Sequence, residues 1–211
     1  MQFKIKNTKV TISFTFFALI IISISIDKTE FLYESIIFAI AHEIGHIIAL
    51  KFFRVNIEEF KVSLFGGNIK ILNNNKIKYC QSAFISLSGP LVNIFFCVLF
   101  CILNSFFEFK FIYNVFVINL VLAIFNLLPF YNFDGGKILS SILLNFINEK
   151  SVDIILTITS IVVLIPFSYL AIYIFILDYK DFNLLVASVF MLLTIIFKNW
   201  VILLDNSPVL L

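Results

Sequence analysis

The chain alternates between long apolar runs and shorter polar stretches. The apolar runs cover residues 10–26, 35–53, 82–104, 111–130, 152–176 and 183–204. Runs of about 18 or more apolar residues are long enough to cross a bilayer as a helix. The pattern therefore predicts an all-α polytopic membrane protein with about six transmembrane helices.

The first apolar run follows a basic start, MQFKIKNTK, which is also how a secretory signal peptide begins. The run is long for the apolar part of such a peptide, and no cleavage site of the usual small-residue type follows it. We therefore expect residues 10–26 to be a span that the protein retains.

The polar stretch from 54 to 81 contains two segments in which apolar and polar residues partly alternate. These segments, KVSLF and NIKIL, flank Gly66 and Gly67. Such a pattern favours a short β-hairpin, although a solvated connector is an equal alternative. The open edge of a hairpin beside the membrane could pair with an extended peptide.

Composition supports a membrane protein: 61% of the residues are hydrophobic and 13% are charged, whereas soluble domains carry about 25% charge. A formal net charge of +2 gives no reason to expect nucleic acid as a partner. We expect one membrane-embedded domain over residues 1–211. Many Phe, Ile, Lys and Asn residues beside a single arginine hint at an AT-rich, bacterial source.

Basic residues concentrate on one set of polar stretches. They are three lysines in 1–9, then Arg54, Lys61, Lys70, Lys76 and Lys78, and finally Lys137 and Lys150. Cytoplasmic loops carry the excess of lysine and arginine. The distribution therefore predicts that both termini and the hairpin lie on the cytoplasmic side of the cell membrane.

The second apolar run contains HEIGH, residues 42–46, an H-E-x-x-H pattern with the only two histidines of the chain. Residues four apart lie on one helix face, so His42 and His46 could bind one ion. Zn²⁺ accepts imidazole ligands, and Glu43 would be placed as a general base. The alternative is a pair of buried histidines satisfied by neighbouring helices.

A catalytic zinc site needs a third protein ligand, here a carboxylate or a cysteine because no third histidine exists. Asp134 differs from the other acids because it lies in an apolar stretch between Pro129 and Gly135-Gly136. A broken helix at membrane depth is tolerated where protein or a watery cavity surrounds it. Asp134 could therefore be this ligand, or it could begin a cytoplasmic turn.

Three segments together resemble the site-2 protease family of intramembrane zinc metalloproteases, peptidase family M50. They are HEIGH (42–46), SGPLVN (88–93) and NLLPFYNFDGG (126–136). The resemblance covers about residues 35–140 and implies that this part is the catalytic core. It also implies that Asp134 is the third zinc ligand beside His42 and His46.

Within this family the short layout resembles the branch of stage IV sporulation protein FB, which processes a membrane-associated pro-sigma factor. The length leaves no room for the PDZ domain of some relatives. The chain ends at Leu211 soon after its last apolar run, so we expect no CBS domain either.

We therefore expect a zinc metalloendopeptidase that cleaves a membrane-associated protein substrate. Glu43 would be the catalytic base, and Zn²⁺ the cofactor. Asn126 could donate a hydrogen bond to the oxyanion or the substrate backbone, or it could cap the broken fourth span. The expected partners are the substrate, the lipid bilayer and a regulatory membrane protein, with no nucleic acid. The alternatives are a transporter and an inactive metal-binding scaffold.

Overall fold

The computed structural model describes residues 2–5, 8–12, 30–55, 57–63, 66–71, 77–177 and 183–204. Its elements are, in chain order, β1 (Gln2–Ile5), β2 (Thr8–Ile12), α1 (Glu30–Phe52), β3 (Ile57–Ser63), β4 (Gly66–Ile71), α2 (Tyr79–Asn104), α3 (Lys110–Leu127), α4 (Asp134–Leu143), α5 (Glu149–Leu177) and α6 (Asn183–Leu204). They fall into two compact parts, residues 1–127 and 128–211.

The first part contains α1, α2 and α3, which pack against one another. Its buried apolar cluster is formed by Phe38, Val115 and Ile118, with Phe96 and Phe100 against it. The ring of Phe38 meets that of Phe96 edge to face at 5.1 Å between centroids, a favoured aromatic geometry. This packing fixes the face of α1 that also carries the histidines.

The first part also contains a four-stranded sheet in the order β1-β2-β3-β4. β3 and β4, where the sequence predicts a hairpin, are antiparallel neighbours, with Ser63 opposite Gly66. β2 pairs parallel with β3 and antiparallel with β1. That the sheet lies on the cytoplasmic side stays a prediction.

The predicted start of the first span at residue 10 was wrong, because residues 8–12 form the strand β2. Apolar and polar residues alternate in QFKI and TKVTI, and this two-residue period is that of a strand. Residues 13–26, the rest of the predicted first span, lie outside the described residues.

Within the described residues, four helices are long and apolar enough to cross a membrane. They comprise residues Phe31–Phe52, Tyr79–Asn104, Lys110–Leu127 and Glu149–Leu177. These helices correspond to the second to fifth predicted spans. The helix α6 has the bounds predicted for the sixth, and its apolar stretch Leu184–Phe197 is shorter. A total of six spans stays a prediction.

The break predicted after the fourth span is confirmed, but it comes earlier than expected. Helix α3 ends at Leu127, because Pro129 cannot donate to a helix and disfavours helical backbone at the residue before it. The chain becomes helical again at Asp134 and forms the short helix α4, which was not predicted from the sequence.

The second part contains α4, α5 and α6. Phe130, in the segment before α4, is buried in a cluster with Leu164 of α5 and with Met191 and Ile195 of α6. This cluster anchors the non-helical segment that leads to Asp134.

Candidate metal centre

The two histidines of HEIGH lie on one face of α1, as their spacing predicts. His42 and His46 are 6% and 7% exposed, and their Nε2 atoms are 3.2 Å apart. Two nitrogens bound to one zinc ion at about 2.05 Å, in a tetrahedral arrangement, would lie about 3.3 Å apart. The spacing of the two Nε2 atoms therefore suits a shared zinc ion.

A series of hydrogen bonds fixes which nitrogen of His42 carries the proton. Asn119 donates from Nδ2 to the backbone carbonyl of Val115 at 2.9 Å, and a carbonyl can only accept. The Oδ1 of Asn119 is thus turned to accept from Nδ2 of Asn93, at 3.0 Å. Asn93 in turn presents Oδ1 to Nδ1 of His42, so Nδ1 is the protonated nitrogen.

His46 also carries its proton on Nδ1, because a backbone carbonyl group accepts a hydrogen bond from that nitrogen. Its Nδ1 lies 2.8 Å from the carbonyl oxygen of Ile85 on α2, so this nitrogen must donate. The hydroxyl of Ser88 donates to the same oxygen at 2.6 Å. The Nε2 of each neutral imidazole therefore carries its lone pair.

Two lone pairs 3.2 Å apart repel each other unless a positive charge lies between or beside them. A metal ion can accept both lone pairs at once, and neutral imidazole is a common zinc ligand. The donor set thus fits a zinc ion.

Two glycines allow α1 and α2 to approach closely at this point. A Cβ on Gly45 would lie 2.8 Å from the carbonyl oxygen of Ser88 and from Cγ2 of Val92. A Cβ on Gly89 would lie 2.6 Å from Nε2 of His42 and still closer to Nε2 of His46. Gly89, in the SGPLVN segment, therefore leaves the space in front of both imidazoles open.

Asp134, the predicted third ligand, is the first residue of α4 and is 4% exposed. Its Oδ1 lies 3.3 Å from Nζ of Lys137, one turn later. The segment before it is held by a hydrogen bond from the backbone N–H of Tyr131 to Oγ of Ser160, at 2.9 Å. A Cβ on Gly136 would overlap the carbonyl group of Phe130, so the turn into α4 requires a glycine there.

His42 and His46 lie in the part formed by residues 1–127, whereas Asp134 lies in the part formed by residues 128–211. The role of Asp134 as the third ligand therefore stays a prediction. Glu43 follows His42 on α1 and is half-buried. The Nδ2 of Asn126 donates to the carbonyl oxygen of Leu122 at 2.9 Å, a bond within the last turns of α3.

Asn119 was not predicted from the sequence as a functional residue, and Asn93 was not assigned a role of its own. A signal was present, since asparagine is rare in the middle of an apolar span and usually bonds to another helix there. What the sequence could not give was the partner, because Asn93 and Asn119 are brought together only by the packing of α2 on α3.

Three kinds of comparison with known proteins each give a match. The family model for peptidase family M50 matches residues 107–166, which include Asp134. A zinc metalloprotease of Methanocaldococcus jannaschii is 30% identical over 154 residues, covering 67% of this chain and 44% of that protein. The chain thus spans less than half the length of this relative.

The solved structure of a site-2 protease from Methanocaldococcus jannaschii superposes with a TM-score of 0.60 at 24% identity. The superposition covers 90% of this chain and 91% of that one. It shows that the chain has the fold of a site-2 protease. Together with the family model and the zinc metalloprotease relative, it supports placing the chain in peptidase family M50, the site-2 protease family.

Proposed function

We propose that this chain is an intramembrane zinc metalloprotease, which hydrolyses a peptide bond in or next to the membrane segment of a substrate protein. One observation carries the proposal: on a helix of membrane-spanning length, the Nε2 atoms of His42 and His46 lie 3.2 Å apart. Glu43, which has a carboxylate side chain, directly follows His42, as in metalloproteases with an H-E-x-x-H helix. The match to peptidase family M50 supports the same class of activity.

In this proposal His42, His46 and Asp134 hold the zinc ion. The sequence resemblance to the site-2 protease family supports it, and two histidines with one carboxylate are an established donor set of catalytic zinc sites. When bound, zinc would polarise the scissile carbonyl group and lower the pKa of a water molecule.

Glu43 is the general base of the proposed reaction. Its carboxylate takes a proton from the attacking water and then delivers that proton to the nitrogen of the departing amine. The position of Glu43 directly after a histidine ligand supports this role. Glu43 is half-buried, and the proposed reaction requires that water reach its carboxylate.

Asn126 has a more local candidate role. We propose that its amide donates a hydrogen bond to the substrate backbone or to the oxyanion. The bond from its Nδ2 to Leu122 instead favours the competing role, in which Asn126 stabilises the last turn of α3. Both roles depend on the end of α3 at Leu127, where backbone groups lose their helical partners.

The substrate is proposed to bind as an extended strand. A helical substrate hides its scissile carbonyl in a hydrogen bond, so the segment must unwind before cleavage. Among the described strands β4 is at one edge of the sheet, and an edge strand can pair with an added strand. The non-helical residues 130–134 are a second segment that could hold the substrate.

Proline substitutions in β4 test this mode of binding. In an edge strand, successive N–H groups point alternately toward the neighbour and away from the sheet. Asn68→Pro and Ile69→Pro therefore remove one group of each kind, with Asn68→Ala and Ile69→Ala as controls. We expect the proline that removes the outward N–H to slow cleavage while the thermal stability stays unchanged. Native cleavage rates in both proline variants would rule out pairing at β4.

For the biological setting we propose a cell-membrane protease with both termini in the cytoplasm, acting on a membrane-associated protein. A pro-sigma factor of a sporulating bacterium is the specific substrate that we propose, with a membrane protein as regulator. The support is the sequence resemblance to the branch of stage IV sporulation protein FB.

The experiment that tests the function measures bound zinc in detergent-purified protein. We expect about one zinc ion per chain, and Asp134→Ala should lower zinc affinity sharply because it removes a ligand. Glu149→Ala, which removes an exposed carboxylate at the start of α5, is the matched control. Native protein without zinc would refute the protease proposal and favour a transporter that uses the same polar groups.

A further inference from the structure

Two buried asparagines connect the candidate metal site to a helix that carries none of the proposed ligands. Asn93 of α2 and Asn119 of α3 are both completely buried. The hydrogen bonds run from His42 on α1 through Asn93 and Asn119 to the carbonyl oxygen of Val115. We call this series of four groups the asparagine relay.

The relay has a direction because it ends on a backbone carbonyl. The amide of an asparagine offers a donor at one end and an acceptor at the other, and the two ends have nearly the same shape. The Val115 carbonyl accepts only, so it fixes the orientation of Asn119. Asn119 then fixes the orientation of Asn93, and Asn93 determines which nitrogen of His42 keeps the proton.

The opposite orientation of Asn93 would change what His42 can bind. Asn93 would then present its Nδ2 to the ring, so Nδ1 of His42 would have to accept and the proton would move to Nε2. A protonated Nε2 has no lone pair for an ion. The orientation of Asn93 therefore matters to metal binding as much as its presence does.

We propose that Asn119 is a positioning residue for the metal site: acting through Asn93, it holds His42 in the tautomer whose Nε2 can bind the ion. The proposal rests on the proposed function, because it takes zinc as the ion. It means that α3 contributes to metal affinity although it carries none of the proposed ligands.

The first test is the zinc affinity of Asn119→Leu, measured by competition with a chelator of known affinity. Leucine has a similar size and offers no hydrogen bond. Loss of a group that orients a metal-binding histidine costs about 10–100-fold in affinity, and we expect a loss in this range. The matched control is Asn114→Leu, which replaces another buried asparagine of α3 that is not part of the relay. It should leave the affinity unchanged.

A second substitution separates orientation from packing. In Asn93→Asp both side-chain oxygens accept, so the residue needs no neighbour to turn its acceptor toward His42. Its second oxygen would also face Oδ1 of Asn119, a repulsive pair that Asn119→Leu removes. We therefore expect Asn119→Leu to weaken zinc binding when residue 93 is the native asparagine. In the Asn93→Asp background, the same substitution should leave zinc binding unchanged or improve it.

The histidine tautomers give a readout that involves neither activity nor metal. His42 and His46 are the only histidines of the chain, so ¹⁵N-histidine labelling reports only these two rings. In metal-free protein, at a pH that keeps both rings neutral, Asn119→Leu should shift the His42 proton partly to Nε2. His46 is the internal control, because the Ile85 carbonyl holds its Nδ1 proton independently of the relay.

The outcomes distinguish this proposal from the proposed function. If native protein binds no zinc, the proposed function is refuted, and the tautomer measurement in metal-free protein still tests the relay. If native protein binds zinc and Asn119→Leu lowers the zinc affinity by no more than about two-fold, the deviation usual for independent sites, the positioning role is overturned. If Asn119→Leu lowers the zinc affinity equally in the native and the Asn93→Asp backgrounds, the positioning role is overturned as well, since a loss of packing alone predicts that result.

Discussion

Glu43→Gln is expected to lower the single-turnover rate of substrate cleavage by about 10²–10⁴-fold, the usual contribution of a general base. Glutamine keeps the size of glutamate but cannot take the proton of the attacking water. Because Glu43 is not among the proposed ligands, bound zinc should stay at the native level. The measurement is cleavage of a co-reconstituted membrane-anchored substrate, with zinc determined on the same preparation.

The matched control for this prediction is Glu34→Gln. Glu34 lies on the same helix, two turns before His42, and is buried to the same degree as the histidines. The same substitution at this position should leave cleavage unchanged. Native activity of Glu43→Gln, or an equal loss in both variants, would contradict the assignment of Glu43 as the base.

Gly89→Ala is expected to abolish zinc binding, although it adds a single methyl group and removes no ligand. The new Cβ would lie 2.6 Å from Nε2 of His42 and closer to Nε2 of His46, where side-chain atoms cannot remain. The rings must therefore turn away, and the nitrogens can no longer meet at one ion. We expect near-zero zinc by elemental analysis and loss of cleavage.

Gly45→Ala is the control for Gly89→Ala, because it adds the same group at the same crossing of α1 and α2. Its Cβ would press on Val92 and the Ser88 carbonyl instead of the imidazoles. We expect a lower melting temperature with more zinc retained than in Gly89→Ala. Stoichiometric zinc in Gly89→Ala would mean that the rings can move aside, and that Gly89 is needed only for helix packing.

The parts of the fold that the sequence predicted are those with a strong local pattern. The apolar runs gave α1, α2, α3 and α5, and the spacing of HEIGH placed both histidines on one helix face. The strand β2 was missed because its alternation continues into an apolar run, and the longer pattern was taken as the start of a span. The short helix α4 was missed because Gly135 and Gly136 disfavour a helix by propensity.

For the candidate site, the sequence predicted only those residues whose own side chains can bind zinc or transfer a proton. A histidine pair and an aspartate could be chosen because few other residues bind zinc. The tautomer of His42 could not be predicted, since it depends on Asn93 and Asn119, which are 26 residues apart in sequence. The open space at Gly89 likewise arises from the approach of two helices, which no local pattern encodes.

The asparagine relay has a consequence for how long the protein survives in a cell. It ties the ring of His42 to three helices, so an ion on that ring binds the packed helices and not the separated ones. Such binding stabilises the folded form by about 2.7 kcal/mol when the free ion is at about 100 times its dissociation constant. Losses of this size change the steady-state amount of a protein through quality-control degradation. Zinc scarcity would then deplete the protein itself, and the proposed activity would recover only as fast as new chains are made.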